Sequence, residues 1–78
     1  IFFNDLQIIT KKNSDILNKK IICQIRHLGE KYNCIVKQLK NNLYCAKTEK
    51  KVRAPAPGQS IVFFDNNICM GGGIITDD

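Results

Sequence analysis

The stretch Ser60-Ile61-Val62-Phe63-Phe64-Asp65-Asn66-Asn67-Ile68-Cys69-Met70-Gly71-Gly72-Gly73-Ile74-Ile75-Thr76 decides the fold class of this 78-residue chain. Two runs of β-branched, aromatic and sulfur-bearing residues flank Asp65-Asn66-Asn67, whose side chains tolerate positive φ. The segment therefore reads as a tight hairpin with strands at 60–64 and 68–76. Its three consecutive glycines are not a phosphate loop. Such a loop needs Gly-Lys-Ser/Thr opening a helix, whereas Gly73 is followed by the strand formers Ile74, Ile75 and Thr76. A bulge, or close approach of two backbones where a barrel closes, fits the glycines better.

The same grammar extends towards the N-terminus. Ala54-Pro55-Ala56-Pro57-Gly58-Gln59 interrupts the chain, and Pro57-Gly58 suits the two central positions of a type II turn. Four further strands are expected at 2–9, 20–26, 33–39 and 43–48, joined by polar or turn-forming residues. In the second, Ile21, Cys23 and Ile25 alternate with Ile22, Gln24 and Arg26; in the third, Cys34 and Val36 oppose Ile35 and Lys37. A loop is expected at 28–32. The fourth strand is ambiguous, because either Leu43 and Cys45 or Tyr44 and Ala46 can face inward. Helical periodicity is confined to 15–23, enough for one or two amphipathic turns. Short strands broken every eight to twelve residues indicate a small all-β barrel or sandwich.

Composition sets the outer limits. Apolar residues make up 44% and net charge is only +5, which excludes a disordered chain. The longest apolar run falls far short of the ~20 residues of a membrane-spanning helix, and no signal-peptide pattern opens the chain. The first residue is Ile1 rather than Met, so the chain is expected to be a piece of a longer protein.

Cys23, Cys34, Cys45 and Cys69 contain no C-x-x-C pair, the spacing that lets one turn supply two zinc ligands. They are expected to be small hydrophobic thiols in a reduced core. Catalytic chemistry is equally thin. His27 and Glu30 are the only acid–base pairing near a histidine, and Glu30, Glu49 and Asp65 show no paired spacing. The basic residues carry more information. Arg26, Lys31 and Lys37 flank the second and third strands, and Lys50, Lys51 and Arg53 precede the proline turn. Gathered on one rim they would grip RNA phosphates without reading sequence; scattered, they are a solvated surface. Ten of the twelve cations are Lys in a chain also rich in Ile and Asn, a codon bias that weakens charge as a functional clue.

Residues 56–64, Ala-Pro-Gly-Gln-Ser-Ile-Val-Phe-Phe, and then Ile68-Cys69-Met70-Gly71-Gly72-Gly73-Ile74-Ile75 resemble the closing signature of bacterial tRNA-specific 2-thiouridylases. In that family P-G-Q-S-x-V-F-Y leads through a short turn to V-C-L-G-G-G-I-I. Ile25-Arg26-His27 stands where the family has K-I-R-Y-R, Cys34-Ile35-Val36 where it has C-x-V, and Phe3-Asn4-Asp5 fits the entering strand. The resemblance covers the whole chain and is most specific from Pro57 to Ile75. His27 and Leu28 replace the family's Tyr-Arg, removing one cation, and Met70 replaces Leu.

The resemblance implies a six-stranded antiparallel β-barrel of the aminomethyltransferase type, with residues 1–78 forming a single C-terminal domain of a cytoplasmic multidomain enzyme. Its function would be tRNA binding and structural support. The parent would adenylate position 2 of a wobble uridine with ATP, then deliver sulfur from a persulfide. Neither the S-G-G-x-D-S motif nor the catalytic cysteines occur here, and Cys34 and Cys69 do not match those cysteines. No catalytic residue, metal ligand or cofactor is expected in these residues. Implied partners are tRNA, the catalytic domain of the same chain and a sulfur-relay protein, with no membrane. The alternative is a freestanding barrel that binds RNA or docks a protein.

Overall fold

Alternating in–out patterning produces six strands in chain order: β1 (Phe2–Ile8), β2 (Lys20–Gln24), β3 (Lys31–Lys40), β4 (Leu43–Thr48), β5 (Ser60–Asp65) and β6 (Ile68–Ile75). The structure, a computed structural model, describes residues 1–10, 15–25, 29–52 and 55–77. Every pairing is antiparallel, and the strands close into a barrel in the order β1-β4-β3-β2-β5-β6. Closure through β1 and β6 leaves no free sheet edge. The sandwich reading is thereby excluded. Among the described residues no helix is long and apolar enough to cross a membrane.

The expected strands are all present, with shifted ends. β3 begins at Lys31 and ends at Lys40, so Lys31 and Tyr32 are strand residues rather than loop. Tyr32 pairs with Cys23 and Lys31 with Gln24, and that ladder extends the strand beyond what its turn-like flank suggested. β2 ends at Gln24, and the Arg26 end of the expected strand lies outside the described residues. The fourth strand's ambiguity is resolved for Tyr44 and Ala46. Ala46 is fully buried, and Tyr44 stacks on Phe3 with ring centroids 5.3 Å apart.

One core fills the barrel: Phe3, Ile16, Ile21, Cys23, Cys34, Val36, Ala46, Ile61, Phe63 and Ile75. Phe3 lies between Tyr44 and Phe63, whose centroid is 5.2 Å away. Burying a ring of this size contributes roughly 1.5–3 kcal/mol. Ile16 comes from the β1–β2 connection, not a strand. Asn18 N–H donates to Val36 O at 2.8 Å, and a parallel bridge from Leu17 to Val36 holds this connection across β3.

Irregularities in the strands have local causes. In β1 Phe3 points inward, and so do Leu6 and Ile8, which pack on the core. That spacing needs one extra residue, and Asp5 supplies it at φ 54°, where the register with β6 shifts. The β5–β6 hairpin turns through Asn66 and Asn67 at φ 51° and 65°, the geometry of a type I′ turn. Gly58, at φ 91°, sits third in a turn closed by Gln59 N–H donating to Ala56 O at 3.2 Å, the expected type II arrangement.

The triple glycine combines both expected features. The register shifts between Phe63 and Phe64 opposite Met70, and the β6 backbone lies hard against its neighbours. A Cβ on Gly71 would sit 2.2 Å from Gln7 O, and one on Gly73 would sit 2.5 Å from the Phe3 ring. This strand is a wall of the barrel.

Candidate nucleic-acid interface

Strand register decides which lysines share a surface. On β3 the outward positions are Lys31, Asn33, Ile35 and Lys37; on β4 they include Cys45 and Lys47. Ile35 pairs with Lys20 of β2 on one side and Lys47 of β4 on the other. A row of Lys20, Ile35 and Lys47 therefore crosses three strands, with its lysines roughly 10 Å apart at the backbone. Lys37 pairs with Cys45, which makes it a diagonal neighbour of Lys47 at roughly 7–8 Å. Ile35 is 40% exposed between these cations.

The sequence candidates distribute along this strip. Lys37 joins the row directly. Lys31 begins β3 at the far end of the same face, its ammonium 4.9 Å from the centroid of the Phe64 ring. Lys50 and Lys51 are exposed and follow β4 at Lys31's end of the barrel, where Glu49 N–H donates to Asn33 O at 3.0 Å. Arg26 and Arg53 lie outside the described residues, as does His27. Two cations of the row were missed, Lys20 and Lys47. Their signal was present in the alternation of β2 and β4, but only cross-strand register places them on either side of Ile35.

The charges in the strip are unequal. Lys20 pairs with Glu49, whose carboxylate also accepts from Asn33 Nδ2 at 3.4 Å. The Lys20 ammonium, by hydrogen bond and charge, holds the Glu49 carboxyl below its usual range, with Asn33 and Lys50 assisting. Lys37 and Lys47 have no acidic partner among the described residues. On the neighbouring surface Lys19 is committed to Asp65 at 2.9 Å.

Other chemistry finds little support. Cys23 and Cys34 are buried thiols inside the barrel; Cys45 and Cys69 are half-buried, and all four are unbridged. The hydrogen bond to Cys23, then burial, push the Cys34 thiol far above the ordinary range, so Cys34 is no thiolate nucleophile. Among the described residues no three His, Cys, Asp or Glu side chains cluster as metal ligands would. Nor do Gly71, Gly72 and Gly73 fit an ATP phosphate. The space beside Gly71 and Gly73 is filled by β1, that beside Gly72 by the Ile61 carbonyl, and among the described residues no Lys or Arg lines the groove outside them.

Comparison with known proteins agrees with this architecture. Residues 2–75 match the aminomethyltransferase β-barrel domain model. The chain is 32% identical over 75 residues to the tRNA-specific 2-thiouridylase MnmA of Shewanella sp. (strain MR-7), covering 96% of this chain and 20% of that protein. It is 38% identical over 56 residues to MnmA of Caldicellulosiruptor saccharolyticus, covering 72% and 16% respectively. With MnmA of Shewanella oneidensis it shares 33% over 72 residues, covering 92% and 19%. The chain thus spans about a fifth or less of the length of these relatives. It belongs to the aminomethyltransferase β-barrel domain family, in the branch that forms the C-terminal domain of tRNA-specific 2-thiouridylases.

Proposed function

We propose that this barrel is the tRNA-docking domain of a cytoplasmic tRNA 2-thiouridylase, without catalytic residues of its own. The parent enzyme would use ATP and a persulfide donor to replace O2 of the wobble uridine with sulfur. The observation that carries the docking role is Lys37 beside the Lys20–Ile35–Lys47 row, Lys37 and Lys47 having no acidic partner among the described residues, with Lys31, Lys50 and Lys51 extending the strip. Ammonium groups on a rigid sheet contact phosphates and set the orientation of an RNA, leaving sequence to be read elsewhere. That its relatives are tRNA-specific 2-thiouridylases supports tRNA as that RNA.

Steady-state kinetics of the full-length enzyme test this reading. Lys37→Ala with Lys47→Ala is expected to raise KM for tRNA several-fold while leaving kcat and KM for ATP near wild type. A fall in kcat with KM for tRNA unchanged would overturn the docking role.

A further inference from the structure

The side of the barrel opposite the lysine strip has the reverse character. In the closed strand order β6 lies across from β3. Gly72 faces outward at its centre, flanked in register by Gln7 of β1 and Val62 of β5. A Cβ on Gly72 would sit 2.6 Å from Ile61 O, so the β5 backbone keeps this position bare, and an open trough of about 320 Å³ lies over it. Ile9, Ser60 and Ile74 complete its walls. Ile9 is 64% exposed and Ile74 38%. Among the described residues no Lys or Arg lines this trough, and the one charged residue that does, Asp5, exchanges hydrogen bonds with Asn42 at the rim.

We propose that the Gly72 trough is the seat of another domain of the same polypeptide, which inserts an uncharged aliphatic side chain over the Gly72 backbone. This rests on the reading of the barrel as one domain of a 2-thiouridylase. Two observations select the occupant. The barrel corresponds to 20% of the length of its Shewanella sp. relative, so a covalently tethered partner of about four times its size accompanies such a barrel. An apolar trough with no Lys or Arg among its described lining residues disfavours a polyanion, which directs RNA to the other face. Strand addition is excluded as the mode of contact, since the closed barrel offers no unpaired edge. Side-chain insertion remains, and its position opposite β3 lets the barrel hold tRNA and its neighbouring domain at once.

Site-specific photo-crosslinking in the full-length polypeptide tests the assignment. A benzophenone amino acid replaces Val62 in one preparation and Ile35 in another. The Val62 probe is expected to yield an intramolecular adduct to a peptide preceding residue 1, with or without tRNA. An adduct to tRNA, an adduct joining two copies, no adduct, or a reading frame that starts at residue 1 would each overturn the proposal. The Ile35 probe reports the docking role separately: failure to capture tRNA there counts against that role and leaves the Val62 result standing. As a second measurement, Val62→Lys in the full-length protein should speed protease release of the barrel about tenfold, as an unpaired charge in an apolar contact would. Unchanged release would contradict the proposal.

Discussion

Asp5 and Asn42 hold each other through two reciprocal hydrogen bonds, Asp5 N–H to Asn42 Oδ1 and Asn42 Nδ2–H to Asp5 Oδ1, both 2.8 Å. Both residues occupy the left-handed region, at φ 54° and 57°. The pair joins the β1 bulge to the β3–β4 turn, and each residue's strain is offset by the bond it makes to the other. Asn42→Ala loses both side-chain bonds and keeps the unfavourable φ, and should cost about 1–3 kcal/mol. Asn42→Gly loses the bonds but relieves the strain, so it should cost less. Urea unfolding midpoints of the two variants check the order.

The glycines of the chain should separate by mechanism. Gly73→Ala drives a methyl group to 2.5 Å from the Phe3 ring and 2.8 Å from Asn4 O, inside the core. A cost of about 1–3 kcal/mol or more is expected, with the Phe3–Tyr44 stack disturbed. Gly58→Ala meets nothing within 4 Å, and its penalty comes only from φ 91°, about 1–2 kcal/mol. Near-ultraviolet circular dichroism distinguishes them: the Tyr44 signal should change in the Gly73 variant and persist in the Gly58 variant.

Glu49 provides a pH-dependent control on the lysine strip. Its carboxyl is held low by Lys20, so the native state binds fewer protons there than the unfolded chain. The associated stability is present above the ordinary carboxylate range, about pH 4.3, and is lost as pH falls through the depressed native value. Glu49→Gln should therefore flatten acid unfolding slightly, the effect being small because the pair is exposed. The same substitution frees Lys20 beside Ile35. At neutral pH it should tighten tRNA binding a few-fold, measurable by filter binding at fixed salt.

Much of the barrel was legible because strand periodicity and turn chemistry agree along the chain. Asn66 and Asn67 announced their turn, Pro57-Gly58 announced its own, and Cys34 and Val36 fell on the buried face as the alternation required. Tyr44 and Ala46 were undecidable because both faces of β4 carry apolar residues, and only stacking on Phe3 settles them. The Asp5 bulge was hidden because Asp in mid-strand looks like an ordinary outward polar residue. Ile16 was hidden because it reaches the core from a connection that Leu17 and Asn18 tie to β3 and that meets β6 at Gly71, far away in sequence. At the candidate interface, individual cations were legible but their grouping was not. Lys47 becomes Lys37's neighbour only through a register that no local pattern encodes.

If the outer face of β3 and β4 grips tRNA phosphates, the salt dependence of affinity must show it. For the full-length protein, log K for tRNA is plotted against log salt for wild type, Lys37→Ala with Lys47→Ala, and Lys19→Ala. Removing each phosphate-contacting lysine should make the slope shallower by about 0.7–0.9, so the double variant should differ by about twice that. Lys19, already paired with Asp65, should leave the slope at the wild-type value. Coincident slopes and affinities for wild type and the Lys37/Lys47 double variant would contradict the claim.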